Sequence, residues 1–205
     1  MTRKPQQRSI ATRARVLQAA KDLSRLNGLE QVTAEAIAQE AGVAKGTVFS
    51  HFGDMNGLLT HVLLDRLNSL RSNSDGSDNP PEALTDPVGL LMHRMMALIG
   101  VITDSPTVLR LFLDNIGVTK PTCAAEFVEA LDALDTELTA FLGRWQGSDA
   151  FTPLLRKDRS PEEMTDGLIA FMIHGAILLK SHQMTDTTEL EHRLRRHVEA
   201  FVLAQ

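Results

Sequence analysis

Tyrosine is missing from this 205-residue chain, and the remaining aromatic residues, eight Phe and one Trp, make up 4% of it. No segment alternates Val, Ile and Thr with polar residues, while Leu, Ala and Met are common, so the pattern excludes a sheet and points to helices. A single cysteine, Cys123, rules out an internal disulfide and fits a reducing cytosol. It has no second soft ligand in view, and a small residue near a helix start accounts for it better than a redox or thiolate–metal sensor. The longest apolar segment, Gly167 to Leu179, contains His174 and is too short to cross a bilayer. The opening MTRKPQQRSIA lacks the apolar stretch of a secretory leader, so none is expected and the expected location is cytoplasmic. Also absent are a nucleophile motif, a Gly-rich phosphate loop and a paired-carboxylate signature. Glu162-Glu163 is explained by helix capping, and Asp132, Asp135 and Glu137 by a solvated face. Neither an enzyme nor a cofactor is expected. No metal site is expected either: His192 and His197 are five apart, which does not stack two imidazoles on one helical face.

A net charge of −5 argues, taken alone, against a nucleic-acid partner. Its distribution argues the other way. Residues 1–71 hold ten Lys or Arg against six Asp or Glu, a balance of +4 that leaves −9 on residues 72–205. A basic head on an acidic body is the footprint of a DNA reader with a second domain.

Within that head lies TAEAIAQEAGVAKGTVFSHF, Thr33 to Phe52. Ala38 is small where two helices cross. Gly42, four residues on, falls in a turn that needs a left-handed backbone, and Val48, six further, returns to a core shared with Ile37, Ala41 and Val43. That spacing is the helix-turn-helix pattern, whose second helix enters a major groove. Two ordinary core helices are the plainer alternative, and they would not require all three constrained positions to coincide.

The remaining helices follow from periodicity and caps. A first helix is predicted from about Ser9 to Leu26, closed by Asn27-Gly28, with residues 1–8 a flexible basic arm carrying Arg3, Lys4 and Arg8. Thr33 caps the second helix, and Asp54 caps a fourth that reaches about Leu70. Residues 72–81, SNSDGSDNPP, read as a loop. Five helices should follow: Asp86-Pro87 to about Thr103, Ser105-Pro106 to near Asn115-Gly117, Pro121 to about Trp145, Ser160-Pro161 to about His182, and Thr188 to Ala204. Ser160 with Glu163 forms a capping-box signature. The expected fold is all-α with about nine helices: a three-helix DNA-binding domain over residues 1–53, and a helical-bundle domain for effector binding and dimerisation over 54–205.

These residues resemble the DNA-binding domain of the TetR family of bacterial transcriptional regulators. The resemblance rests on Val16-Leu17, Ala19-Ala20, Gly28, Thr33, Ile37-Ala38, Ala41-Gly42-Val43, Lys45-Gly46-Thr47, His51-Phe52 and Leu58-Leu59, and it covers about residues 10 to 60. It implies a homodimer, an operator of two half-sites and a body that binds a small-molecule effector. The expected activity is that of a repressor released from DNA by an apolar or amphipathic effector, with the fourth helix transmitting the change. An architectural or partner-recruiting DNA protein with no effector is the alternative, and a helical enzyme or carrier that merely contains the motif is a third. DNA contacts are expected from Thr33, Lys45, Gly46, Thr47, Phe49, Ser50 and His51, with Arg3, Lys4 and Arg8 of the arm. Where the family commonly has Tyr, Lys and a Ser or Thr cap, this chain has Phe49, Met55 and Ala44, which implies a thinner grip on phosphates. The arm and Arg13 or Arg15 are expected to compensate.

For the body, Met92, Met95, Met96 and Ile99, with Phe112, Phe127, Phe141, Trp145 and Met172, are candidates to line an effector cavity, since flexible Met suits irregular apolar pockets. Met and Phe at helical spacing equally describe an ordinary core. His93 and His174 are the polar groups expected to face such a cavity. Phe171, Gly175, Ala176 and Leu179, with Leu194, Val198 and Phe201 on the last helix, are expected to pair with a second copy. A monomer with both stripes turned inward is the alternative.

Overall fold

The structure, a computed structural model, describes residues 3–72, 84–114 and 125–204. Among these, nine α-helices occur: α1 Arg3–Asn27, α2 Ala34–Ala41, α3 Lys45–Phe52, α4 Met55–Ser72, α5 Pro87–Ile102, α6 Pro106–Leu113, α7 Ala125–Gln146, α8 Pro161–Lys180 and α9 Thr187–Val202. A 3-10 turn, Leu29–Gln31, joins α1 to α2, and the described residues contain no strand, only an isolated antiparallel bridge between Leu155 and Leu203. The all-α expectation is met, and apart from the start of α1 the helix ends among the described residues agree to within a few residues. Cys123, the Pro121 start signal, the Asn115–Gly117 stop and nearly all of the 72–81 loop lie outside the described residues.

Side chains set the helix starts. Each helix leaves its first amides without an internal acceptor, and a cap restores one at about 1 kcal/mol. Thr33 Oγ1 accepts from Ala36 N at 3.2 Å, and Asp54 Oδ1 from Gly57 N at 2.8 Å. Asp86 Oδ1 accepts from Gly89 N at 2.8 Å, and Ser105 Oγ from Val108 N at 3.2 Å. At α8, Glu163 N donates to Ser160 Oγ (3.2 Å) and Ser160 N donates back to Glu163 Oε2 (3.1 Å), completing the capping box. Pro87, Pro106 and Pro161 open α5, α6 and α8, where a missing N–H costs nothing.

One expectation is corrected at the N-terminus. Residues 3–8 continue α1 rather than forming an arm. Pro5 does not stop the helix, because it falls in the first turn, where its amide would have had no partner.

By packing, the chain divides into two compact units, Met1–Arg66 with Asp104–Val128, and Leu67–Thr103 with Glu129–Gln205. In the first, α2 packs on α1 and α3, around Val16, Ala20, Ile37, Val48 and Leu58, each essentially without exposure. Phe112 and Phe127 meet edge to face at 5.4 Å in the same unit. In the second unit α5, α8 and α9 pack on one another, and Leu91, Ile99, Leu168, Ala176 and Val198 form their common core.

The segment after α7 is fixed from both ends. Trp145 Nε1–H donates to Pro153 O at 2.8 Å, and Gln146 Nε2 donates to the carbonyls of Arg156 and Arg159 at 2.8 Å each. Arg156 N donates to Val202 O (2.9 Å) and Ala204 N to Leu154 O (3.2 Å), so this segment holds the end of α9. The Arg156 guanidinium makes two 2.6 Å bonds to Asp158 and one of 3.1 Å to Phe201 O. The bond from Arg156 is the main reason that the Asp158 carboxyl is lowered from 3.8 to about 2. A depressed carboxyl stabilises the fold fully above its ordinary value, and loses that contribution as pH falls from 3.8 through about 2. Asp158→Asn is therefore expected to lower the melting temperature modestly at neutral pH, since the pair is exposed to solvent, and to converge with the parent as pH falls through about 2, which flattens the acid limb. Thermal melts of both proteins across a pH series check it.

Candidate nucleic-acid interface

Between α2 and α3 the chain must reverse within three residues. Gly42 does this at φ 62°, ψ 45°, the left-handed region that glycine enters without a Cβ clash. The amide of Val43 donates to Ala38 O at 2.9 Å, closing the end of α2. Val48 and Phe52, one turn apart on α3, are buried and seat the helix on the head. Periodicity then puts Gly46 and Ser50 on the opposite side with Thr47 beside them and Phe49 and His51 on the flanks, while Lys45, the first residue of the helix, lies at the edge of the seated face. Lys45, Gly46 and Ser50 are exposed, and Thr47, Phe49 and His51 half-buried. A Cβ added at Gly46 would meet nothing within 4 Å, which leaves the backbone there open to close approach.

The polar groups of this surface are partly engaged. Thr33 is exposed, its hydroxyl oxygen accepting the Ala36 amide, and Ser50 Oγ donates to Thr47 O at 2.9 Å. Lys45 Nζ pairs with the Glu35 carboxylate across the turn, and this bond is the first cause of the lowered Glu35 carboxyl. Ala44 stands at the start of α3 with no capping side chain, as its sequence implied.

The basic residues expected to compensate are placed differently from one another. The Arg13 guanidinium lies 4.9 Å from the Phe52 ring centre and bonds His61 Nε2. Because arginine can only donate, Nε2 accepts, and the ring proton sits on Nδ1, which donates to Gly57 O at 2.7 Å. Arg13 is thus occupied in fastening α1 to α3 and α4. Arg8 and Arg15 are exposed on α1. Arg3 and Lys4 lie in its first turn.

Sequence reasoning missed two elements of this site: the Arg13–Phe52–His61 cluster and the Glu35–Lys45 pair. By sequence alone Glu35 is a carboxylate in the first turn of α2, favourable to the helix dipole and no more. Its reach to a residue ten positions on is not a helical spacing, and the turn between the helices creates it.

The body candidates divide between the units. Phe112 and Phe127 belong to the first, and Met92, Met95, Met96, Ile99, Phe141, Trp145 and Met172 to the second, all buried except half-buried Met96. Trp145 stacks on Phe151 at 6.2 Å and lies 5.9 Å from Phe141, an aromatic cluster over which Arg94 sits 5.6 Å from the Phe141 ring. His93 and His174 are exposed, which corrects the expectation that they face an interior cavity.

The pairing stripe is also corrected. Gly175, Ala176, Leu194 and Val198 lie in the chain's own core. The close approach that Gly175 allows is taken by Leu194, Leu190 and Ile99 of the same chain, 3.3, 3.4 and 3.6 Å from where a Cβ would stand. Phe171, Leu179 and Phe201 are half-buried and Ile177 is 41% exposed. The inward turn of α8 and α9 follows from α5, which covers the face that sequence periodicity left without a partner.

Residues 16–62 match the family of bacterial regulatory proteins called the tetR family. No curated protein matches the chain. Among solved structures, RolR in complex with resorcinol is 18% identical, with a TM-score of 0.65, covering 97% of this chain and 91% of that one. A transcriptional regulator from Saccharomonospora viridis in complex with choline is 16% identical over 94% of this chain and 98% of that one, at a TM-score of 0.61. Thermus thermophilus FadR, a transcriptional repressor in complex with lauroyl-CoA, is 22% identical over 94% and 96%, at 0.57. These likenesses establish a shared fold along nearly the whole chain. Residues 16–62 thus form a tetR-family head, carried on a fold that these solved regulators share.

Proposed function

We propose that the chain is a homodimeric, ligand-responsive repressor that reads an operator with α3 and leaves it when a small apolar or amphipathic effector binds the body. The observation that carries the reading is α3 itself: seated by Val48 and Phe52, it presents Lys45, Gly46 and Ser50 to solvent on a head of net charge +4. Lys45 is the side chain that reaches base edges or phosphate, with Thr33, Thr47, Phe49 and His51 around it and the exposed Arg8 on α1 beside the phosphates. Two heads paired by dyad symmetry would enter successive major grooves about 34–36 Å apart. No helix among the described residues is long and apolar enough to cross a membrane.

Lys45→Ala distinguishes the two modes of contact. A base-edge contact predicts a loss of about 1–3 kcal/mol on the selected site and relaxed preference at one base pair. A phosphate contact predicts an equal loss on every duplex and a salt slope shallower by about 0.9. Titration of both proteins against a duplex obtained by site selection and against mixed-sequence duplex reads the difference, and unchanged binding to both overturns the proposal.

Self-association is assigned to the outer, half-buried apolar residues Phe171, Leu179 and Phe201 with Ile177, and light scattering at micromolar concentration tests it. The effector is assigned to the Met-rich interior of the second unit, Met92, Met95, Met96, Ile99 and Met172. Relatives of the same fold hold resorcinol, choline and lauroyl-CoA, which supports a small organic effector. A ligand that binds only the folded state raises the melting temperature with its concentration, so a thermal-shift screen of phenols and acyl amphiphiles finds the class. Moving the operator-bound conformation nearly completely to the released one requires about 5.5 kcal/mol of differential binding.

A further inference from the structure

Three features of the head bear on one carboxylate. Glu35 stands in the first turn of α2, whose start carries the Thr33 cap and the partial positive charge of free amides. Its carboxylate bonds the Lys45 ammonium at the first residue of α3. Both partners are exposed, Lys45 at 52% and Glu35 at 65%, so the pair faces solvent instead of filling the core. An ion pair of that kind contributes little to folding, because water screens it and two flexible side chains must be ordered.

Its consequence falls on whatever approaches the face. A phosphate drawn to the start of α2 or to Lys45 meets a carboxylate already there. Glu35 repels the phosphate and competes for the ammonium. A base edge differs: it carries no net charge, and a guanine offers acceptors to the remaining N–H donors of Lys45 while the carboxylate holds the ammonium in place. Glu35 thus penalises backbone contact more than base contact.

Resting on the reading of α3 as the DNA-reading helix, we infer that Glu35 is a specificity-determining residue, which positions Lys45 toward base edges and suppresses sequence-independent binding through phosphates. Among the other charged groups of the head, Lys21 pairs with Asp65, Arg25 with Asp22 and Arg66 with Asp104, and Arg8 and Arg15 lie exposed on α1. Arg13 is tied to Phe52 and His61, and Glu40 is exposed near the far end of α2, so Lys45 is the cation that Glu35 controls.

The test compares Glu35→Gln, Lys45→Gln and the double variant, on mixed-sequence duplex about two helical turns long and on a duplex obtained by site selection, over a salt series. Glu35→Gln keeps the side chain's size and removes its charge. The expected result is about three- to tenfold tighter binding to mixed sequence and a salt slope steeper by about 0.9, from one more displaced counterion. Binding to the selected duplex rises less, so the ratio of specific to non-specific affinity falls. In the Lys45→Gln background most of the steeper slope disappears, which a merely structural role for Glu35 would not produce. Unchanged slope and ratio in Glu35→Gln, with Lys45→Gln still weakening binding, overturns the inference alone. Wild type and Lys45→Gln binding every duplex equally overturns the DNA-reading assignment beneath it. Circular dichroism melts of the three variants confirm that each head is folded.

Discussion

Replacing Trp145 by Ala is expected to destabilise the second unit by about 3–5 kcal/mol, the range for emptying a buried aromatic site. Trp145 is 1% exposed and stacks on Phe151. Its indole N–H also holds Pro153 O, so the substitution removes the bond that starts the 147–160 segment on its course. That segment in turn holds the end of α9 through Arg156 and Leu154. For a chain of this size the loss corresponds to a melting temperature lower by about 6–20 °C. Trp145 is the only tryptophan, so circular dichroism is the readout rather than fluorescence. Trp145→Phe retains the stacking and loses the hydrogen bond, and should cost a smaller share. A Trp145→Ala protein that melts within a degree or two of the parent, yet no longer responds to effector, would instead return Trp145 to the cavity wall.

Ile37→Ala is expected to cost about 2–5 kcal/mol in the head and to abolish measurable operator binding. Ile37 has no exposed surface, and it lies on α2, a helix of eight residues. Helices that short do not persist by propensity, so α2 and α3 exist through their packing on each other and on α1, in which Ile37 and Val48 are both buried. Hydrogen exchange should show α2 and α3 amides losing protection before those of α8, whose core is separate. Operator titration should fall to the level of a protein without a seated recognition helix. Normal protection in α2 and α3, together with normal DNA binding, would contradict this account of how the reading surface is held.

The caps show how far local chemistry reached. Thr33, Asp54, Asp86, Ser105 and the Ser160–Glu163 box were legible because a cap joins residues two or three apart, and local sequence contains the whole interaction. Gly42 was legible for the same reason: its left-handed turn is a property of one residue. Pro5, within the stretch expected to be an arm, works in the opposite direction. As a local signal it favours a break, and the first-turn exemption applies only once the start of the helix is known.

Periodicity names an apolar face without naming what covers it. Gly175, Ala176, Leu194 and Val198 read equally well as a surface for a second copy and as a core, and the placement of α5 against α8 and α9 made them core. His174 lay in the same apolar stretch yet projects outward, because residues adjacent in a helix point about 100° apart.

By itself the sequence determined the helices, their caps, the Ala38–Gly42–Val48 frame and the basic head, all set by spacings shorter than a dozen residues or by composition. Only the tertiary structure decided that Arg13 serves Phe52 and His61, that Trp145 locks the segment leading to the C-terminal helix, and that Glu35 meets Lys45. Each of those depends on where separate elements come to rest. That is fixed by the sum of many apolar contacts, and no single local pattern encodes it.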